Sequence, residues 1–225
     1  MQSFAPRTLC AWTFGASLGV LFIPAPALAQ PYDFELTPHI GYTFGGGTEV
    51  EASEEMQAEG AVNGELDIAS APSFGATFSS RVHGGGYGEL SYSRQQTNLG
   101  LRAPGTPREE LFDMSVEYFQ IGGLMDFRAT DYSRLAPFFM MTLGATRFAA
   151  DDYGDEWRFS VVLGAGVKIA IVDRFGIRLQ GRFLSTFLSS ESTIFCPGNG
   201  ECLFVVGDTT ATFQGEASLG AYVAF

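Results

Sequence analysis

The chain has 225 residues, 46% of them hydrophobic and only 17% charged, and a formal charge of −12. That length suits one domain. The acidic balance, with Lys168 the single lysine among 13 bases, leaves no basic stripe to meet phosphates and excludes nucleic acid as a partner. The 28 glycines and 21 phenylalanines favour short strands and tight turns over helices.

Residues 1–29 come first and have the three-part layout of a secretory leader. A short segment carries Arg7, residues 9–23 form an apolar run, and Ala27-Leu28-Ala29 is a small-x-small cleavage site. A run of about 15 residues is short for a spanning helix, which needs roughly 20. Cleavage is therefore expected after Ala29, leaving a mature domain of residues 30–225 that starts at Gln30. Cys10 goes with the leader. Cys196 and Cys202 remain, and a pair of cysteines in an exported chain is expected to form a disulfide. They flank Pro-Gly-Asn-Gly-Glu, a turn-forming stretch that can bring two sulfurs together.

Period-two alternation follows along the mature chain. Residues 34–44 put Phe34, Leu36, Pro38, Ile40, Tyr42 and Phe44 on one face and Glu35, Thr37, His39, Gly41 and Thr43 on the other. Weaker alternation covers residues 66–79, 87–96 and 137–147. Clear versions cover 118–127, 158–171, 175–183 and 212–225. These eight segments are about ten residues or longer, enough to cross a bilayer at a tilt. The links near 80–86, 128–134 and 172–174 are short. Those near 45–64, 97–112, 148–157 and 186–208 are long. Short turns on one rim and long loops on the other predict an all-β, eight-stranded, antiparallel transmembrane up-and-down β-barrel, closed so that no strand edge is left in lipid.

The chain resembles the small outer-membrane β-barrel proteins, of the kind typified by the OmpA transmembrane domain. The resemblance rests on the leader, the eight alternating segments and the closing stretch from Glu216 to Phe225. It implies an outer-membrane location in a Gram-negative-type bacterium. It also implies contact with outer-membrane lipids and lipopolysaccharide, and recognition by the barrel-assembly machinery. Phe225, supported by Val223 and Ala221, would carry that assembly signal. A monomer with a structural or surface-interaction role is expected. A narrow porin-like passive channel is the alternative, and a lipid-A-modifying enzyme a more distant one.

The inward face carries Glu35, Glu89, Asp126 and Glu216, with Lys168, Arg178 and Arg182 opposite. An eight-stranded bore is just wide enough for side chains to fill, so these charges are expected to pair and plug it. The long loops are acidic, with Glu49, Glu51, Glu54, Glu55 and Glu59 in the first and Asp151, Asp152, Asp155 and Glu156 in the third. Such runs are usually solvated and self-repelling. Capture of a divalent cation is the sharper alternative, but the first loop lacks the spacing of a calcium loop, so no metal or cofactor site is assigned. His39 and His83 are the two histidines, and neither is placed beside a serine at the outer surface, so no enzymatic activity is expected. Tyr32, Phe34, Phe127, Phe175 and Phe225 should ring one rim, and Tyr42, Phe44, Phe119 and Trp157 the other.

Overall fold

In a computed structural model, the described residues are 33–50, 64–82, 86–102, 107–127, 134–150, 154–188, 193–194, 204–205 and 210–225. They form strands β1 (Phe34–Phe44), β2 (Gly47–Val50), β3 (Gly64–Ile68), β4 (Ala71–Val82), β5 (Gly86–Arg102) and β6 (Glu109–Asp126). Next come β7 (Leu135–Ala150), β8 (Gly154–Val172), β9 (Phe175–Leu188), β10 (Thr193–Ile194), β11 (Phe204–Val205) and β12 (Thr210–Ala224). β1 runs on into β2, and β3 into β4, so the wall has eight antiparallel strands. Each pairs with its neighbour in sequence, and β12 pairs with β1 to close the ring. Phe34 and Phe225 exchange backbone hydrogen bonds of 3.1 and 2.9 Å at the seam. That end is called proximal here, and the opposite end distal.

The first hairpin is broken in step on both strands. At Gly45-Gly46 and Ala69-Ser70 the ladder is interrupted. The Ile68 N–H donates to the Gly46 carbonyl at 3.0 Å, and the Gly45 N–H to Ser70 Oγ at 2.9 Å. A Cβ at Gly45 would run into the Ile68 carbonyl, so the close approach requires glycine there. The glycine run ends β1, and pairing resumes at once in β2.

The strands also climb further than predicted. Most of the proposed loop at 97–112 is wall, because β5 runs to Arg102 and β6 starts at Glu109. The proposed third loop at 148–157 shrinks to the connection between Ala150 and Gly154, with Asp155 and Glu156 paired on β8. Alternation in hydrophobicity marks only the part of a strand that faces an apolar surround. Backbone pairing continues past it.

Facing is inverted relative to a soluble protein over the proximal two thirds. Ile40, Ile121 and Met125 are the most exposed of the large apolar side chains, at 68%, 62% and 62%. Glu35, Thr37, Ser79, Glu89, Lys168, Arg178 and Gln180 are buried inside. The apolar outer face of β1 spans 11 residues. At about 3.3 Å per residue and a tilt near 40°, that makes a band about 25 Å tall. Phe34, Phe127, Phe175 and Phe225 are exposed at its proximal edge, and Tyr42, Phe44, Phe119 and Trp157 towards the distal edge. Tyr32 lies outside the described residues.

Candidate functional site

The barrel interior is built in layers. The proximal layer joins strands across the bore. Lys168 on β8 is hydrogen-bonded to Glu35 on β1, with its Nζ 4.2 Å from the centre of the Tyr87 ring and 6.0 Å from that of Tyr222. Arg178 on β9 grips Glu89 on β5 with two hydrogen bonds, of 2.6 and 3.2 Å. Its Nε donates to Gln180 Oε1 at 2.8 Å, and its guanidinium lies 4.7 Å from the Phe138 ring centre. Ser79 Oγ adds a 2.9 Å hydrogen bond to Glu89. Arg178 and Lys168 are each 1% exposed. Charges this deep are tolerated because each has a counter-charge, hydrogen bonds and an aromatic face.

The middle layer holds the third pair. Arg182 and Glu216 are cross-strand neighbours on β9 and β12, with two hydrogen bonds to Glu216 Oε1 at 3.0 and 2.6 Å. Gln120 bridges Ser160 and Thr142, and Gln180 reaches Ser218. Above them Tyr118 donates to Gln214 at 2.6 Å, and Gln214 to Gln95 at 3.3 Å. The structure therefore brings Glu35, Glu89, Glu216, Lys168, Arg178 and Arg182 together as three ion pairs. Asp126 is half-buried near the end of β6, outside those pairs.

One sector is looser. Thr37 and His39 on β1, Ser73 on β4 and Ser93 on β5 are buried, and their side-chain polar atoms have no hydrogen-bond partner among the described residues. The His39 ring lies where a Cβ at Gly75 would meet it at 2.8 Å.

The distal layer went unread in the sequence. Leu99, Met114, Val116, Phe148, Val162, Leu184 and Leu188 form a buried apolar cluster inside the wall, with Ile68, Tyr118 and Ala150. The outward face of β5 to β7 at that height is charged. Arg94, Glu117 and Arg147 are aligned on β5, β6 and β7, and Arg147 also reaches Asp155. On β5 to β7 the distal wall thus has an apolar inner face and a charged outer one, while on β8, β9 and β12 Phe159, Phe187 and Phe213 stay exposed outside and Glu156 pairs with Arg158 on the inward parity of β8. The signal was present in residues 109–118, where Phe112, Met114 and Val116 alternate with Asp113 and Glu117.

Ala221 and Val223 point outward on β12 beside Phe225, whose ring is 6.1 Å from that of Phe34. Cys196, Cys202, His83 and most of the acidic loop residues lie outside the described residues. Among the described residues, no group of three or more His, Cys, Asp or Glu is placed to hold a metal ion.

No family model and no curated protein sequence matches the chain. Solved structures share its fold, two of them as follows. Neisserial surface protein A aligns with a TM-score of 0.52 at 15% identity, covering 85% of this chain and 97% of that one. The outer membrane protein OprG from Pseudomonas aeruginosa aligns with a TM-score of 0.55 at 10% identity, covering 86% and 96%. The fold is that of the small, eight-stranded outer-membrane β-barrel proteins.

Proposed function

We propose that the protein is an integral outer-membrane barrel with a structural or surface-interaction role, its lumen closed by its own side chains. The observation that carries this is the inverted burial: a band of exposed Phe, Leu, Ile and Met around an interior of three buried ion pairs. Water would penalise that exterior, and hydrocarbon would favour it. The role in this reading is non-catalytic. The protein works as a monomer after insertion by the barrel-assembly machinery, with Phe225, Val223 and Ala221 as the segment recognised.

Refolded protein should run at a different gel mobility before and after boiling. In a planar bilayer it should give no large, single-size conductance steps. Stable uniform channels would favour the second reading, a narrow passive channel. The unpartnered polar groups around His39 favour that alternative, since they mark a sector able to take water.

Residues 1–29 act as a cleaved leader, and Cys196 and Cys202 are joined in the exported chain. The strand pair β10–β11 brackets those cysteines, with Ile194 opposite Phe204. Intact mass of the exported protein tests both points. The expected mass is that of a chain beginning at Gln30, with no site open to a thiol alkylator until reductant is added. A chain that keeps Met1, or two alkylated thiols without reductant, would overturn the respective assignment.

A further inference from the structure

The apolar outer face is not equally tall all round the barrel. On β9 it runs from Phe175 to Phe187 and on β12 from Phe213 to Phe225, with those four rings exposed. On β6 it runs only from Phe127 to Phe119, and the next outward residue is Glu117. At about 3.3 Å per residue and a tilt near 40°, these faces are about 30 Å tall on β9 and β12 and about 20 Å tall on β6. An ion ladder limits the short flank. Glu117 lies 3.6 Å from Arg94 Nε of β5 and 3.0 Å from Arg147 Nη1 of β7, and Arg147 Nη2 holds Asp155 of β8 at 2.6 Å. The ladder is neutral in sum, so it selects no headgroup charge. The side chains of Arg94, Arg147 and Asp155 are nonetheless 37%, 32% and 47% exposed. Ions exposed to that degree require water or headgroups around them, because hydrocarbon solvates none of them.

The strand registers give the levels. The row of ladder partners that leaves β7 at Pro137 passes Leu179, Ile40 and Arg94 and returns to β7 at Arg147, so one circuit climbs from residue 137 to residue 147. That is about 3 Å along the barrel axis for each strand crossed. On this scale Phe34, Phe127, Phe175 and Phe225 lie within about 3 Å of one proximal level. Glu117 and Arg147 lie within about 5 Å of the level of Phe159, Phe187 and Phe213. Charged and aromatic surfaces thus share one distal level on opposite flanks. Tilting the barrel cannot reconcile them, since a tilt would also slant the proximal edge.

We infer that the barrel presents a two-level surface to the bilayer and draws the outer leaflet down on one flank: hydrocarbon reaches Phe187 and Phe213 on β9 and β12 but stops at Phe119 on β6. This rests on the outer-membrane placement proposed above. Lipid adapts to the wall because a bilayer thins locally at modest cost, whereas the paired strands are rigid.

Tryptophan depth measures the slant. The chain has two tryptophans, so W12F/W157F gives a silent parent. Into the full chain with that background go F119W, F187W, F127W and F175W, one at a time, each replacing one exposed ring by another. The variants are refolded in phosphatidylcholine vesicles brominated at a series of acyl-chain depths, and fluorescence quenching locates each indole. F127W and F175W should report one depth. F119W and F187W should also agree within about 3 Å, although they are about 10 Å apart along the barrel axis. An F119W indole about 10 Å deeper than that of F187W means a flat leaflet matched to the tall flank, and overturns the inference. An F187W indole quenched by aqueous iodide and not by bromine means a flat leaflet matched to the short flank, and overturns it too. Unequal depths for F127W and F175W overturn it in favour of a tilted barrel. Adding R94L/E117L/R147L to F119W should send its indole deeper, and an unchanged depth would remove the ladder as the cause. The four single-tryptophan variants decide the slant whether or not that variant inserts. Failure of every variant, the silent parent included, to insert as a heat-modifiable barrel counts against the outer-membrane placement instead.

Discussion

Arg178→Met should cost about 3–5 kcal/mol of unfolding free energy, and R178M/E89M should recover most of it. The argument turns on which charge is stranded. Arg178 supplies two of the hydrogen bonds to Glu89, and Ser79 supplies a neutral one. Removing the guanidinium leaves a buried carboxylate that keeps the Ser79 hydroxyl but has lost its hydrogen-bonded counter-charge. Removing both partners leaves an apolar pair beside Leu124 and Met140, which already pack with Tyr87 and Phe138. A desolvated pair replaced whole by apolar groups of similar volume is close to neutral, whereas half a pair is expensive. Urea unfolding of the protein in lipid vesicles measures both variants. A loss under about 1 kcal/mol for the single variant would mean that water reaches Glu89, and the lumen would then be open at the proximal layer.

This arrangement also explains why the interior charges were readable one by one. All but Glu89, which lies in the weakly alternating 87–96, sit on the inward parity of a clearly alternating strand, as Glu35 does between Phe34 and Leu36, and Lys168 between Val167 and Ile169. Which acid meets which base was not readable. Glu35–Lys168 and Glu89–Arg178 join non-neighbouring strands across the bore, and only the tilt and stagger of a closed barrel set those partners. Arg182–Glu216 is different, since β9 and β12 are adjacent and their register alone brings the two together. The distal third misled for a physical reason. A rule that apolar means outward holds only where the surround is hydrocarbon. Phe112 and Phe148 obey the opposite rule because the wall there is expected to stand in water, so residues near 97–112 and 148–157 looked like loop. The aromatic partners Tyr87, Phe138 and Tyr222 went unread because a ring on the inward face looks like a break in alternation, when here it covers a cation.

Ile121→Arg separates a bilayer from water as the barrel's surround more sharply than any interior change. Ile121 is 62% exposed on the outward face of β6, between Leu90 on β5 and Leu143 on β7, well inside the apolar band. In water, an exposed isoleucine replaced by arginine should move stability by no more than about 0.5 kcal/mol, since nothing packs over it and the charge is solvated. At the midplane of a bilayer the same charge costs about 2–4 kcal/mol. Snorkelling offers little relief, because the neighbouring rings and aliphatic side chains extend several residues in each direction along the wall. The variant should therefore unfold from lipid vesicles at a clearly lower urea concentration than the parent, while the two behave alike in detergent micelles, whose headgroups can close around the guanidinium. Ser80→Arg, at the proximal end of β4 near the rim, should cost about 0–1 kcal/mol in the same vesicles. If Ile121→Arg matched Ser80→Arg in lipid, the apolar band would not be the surface that hydrocarbon covers.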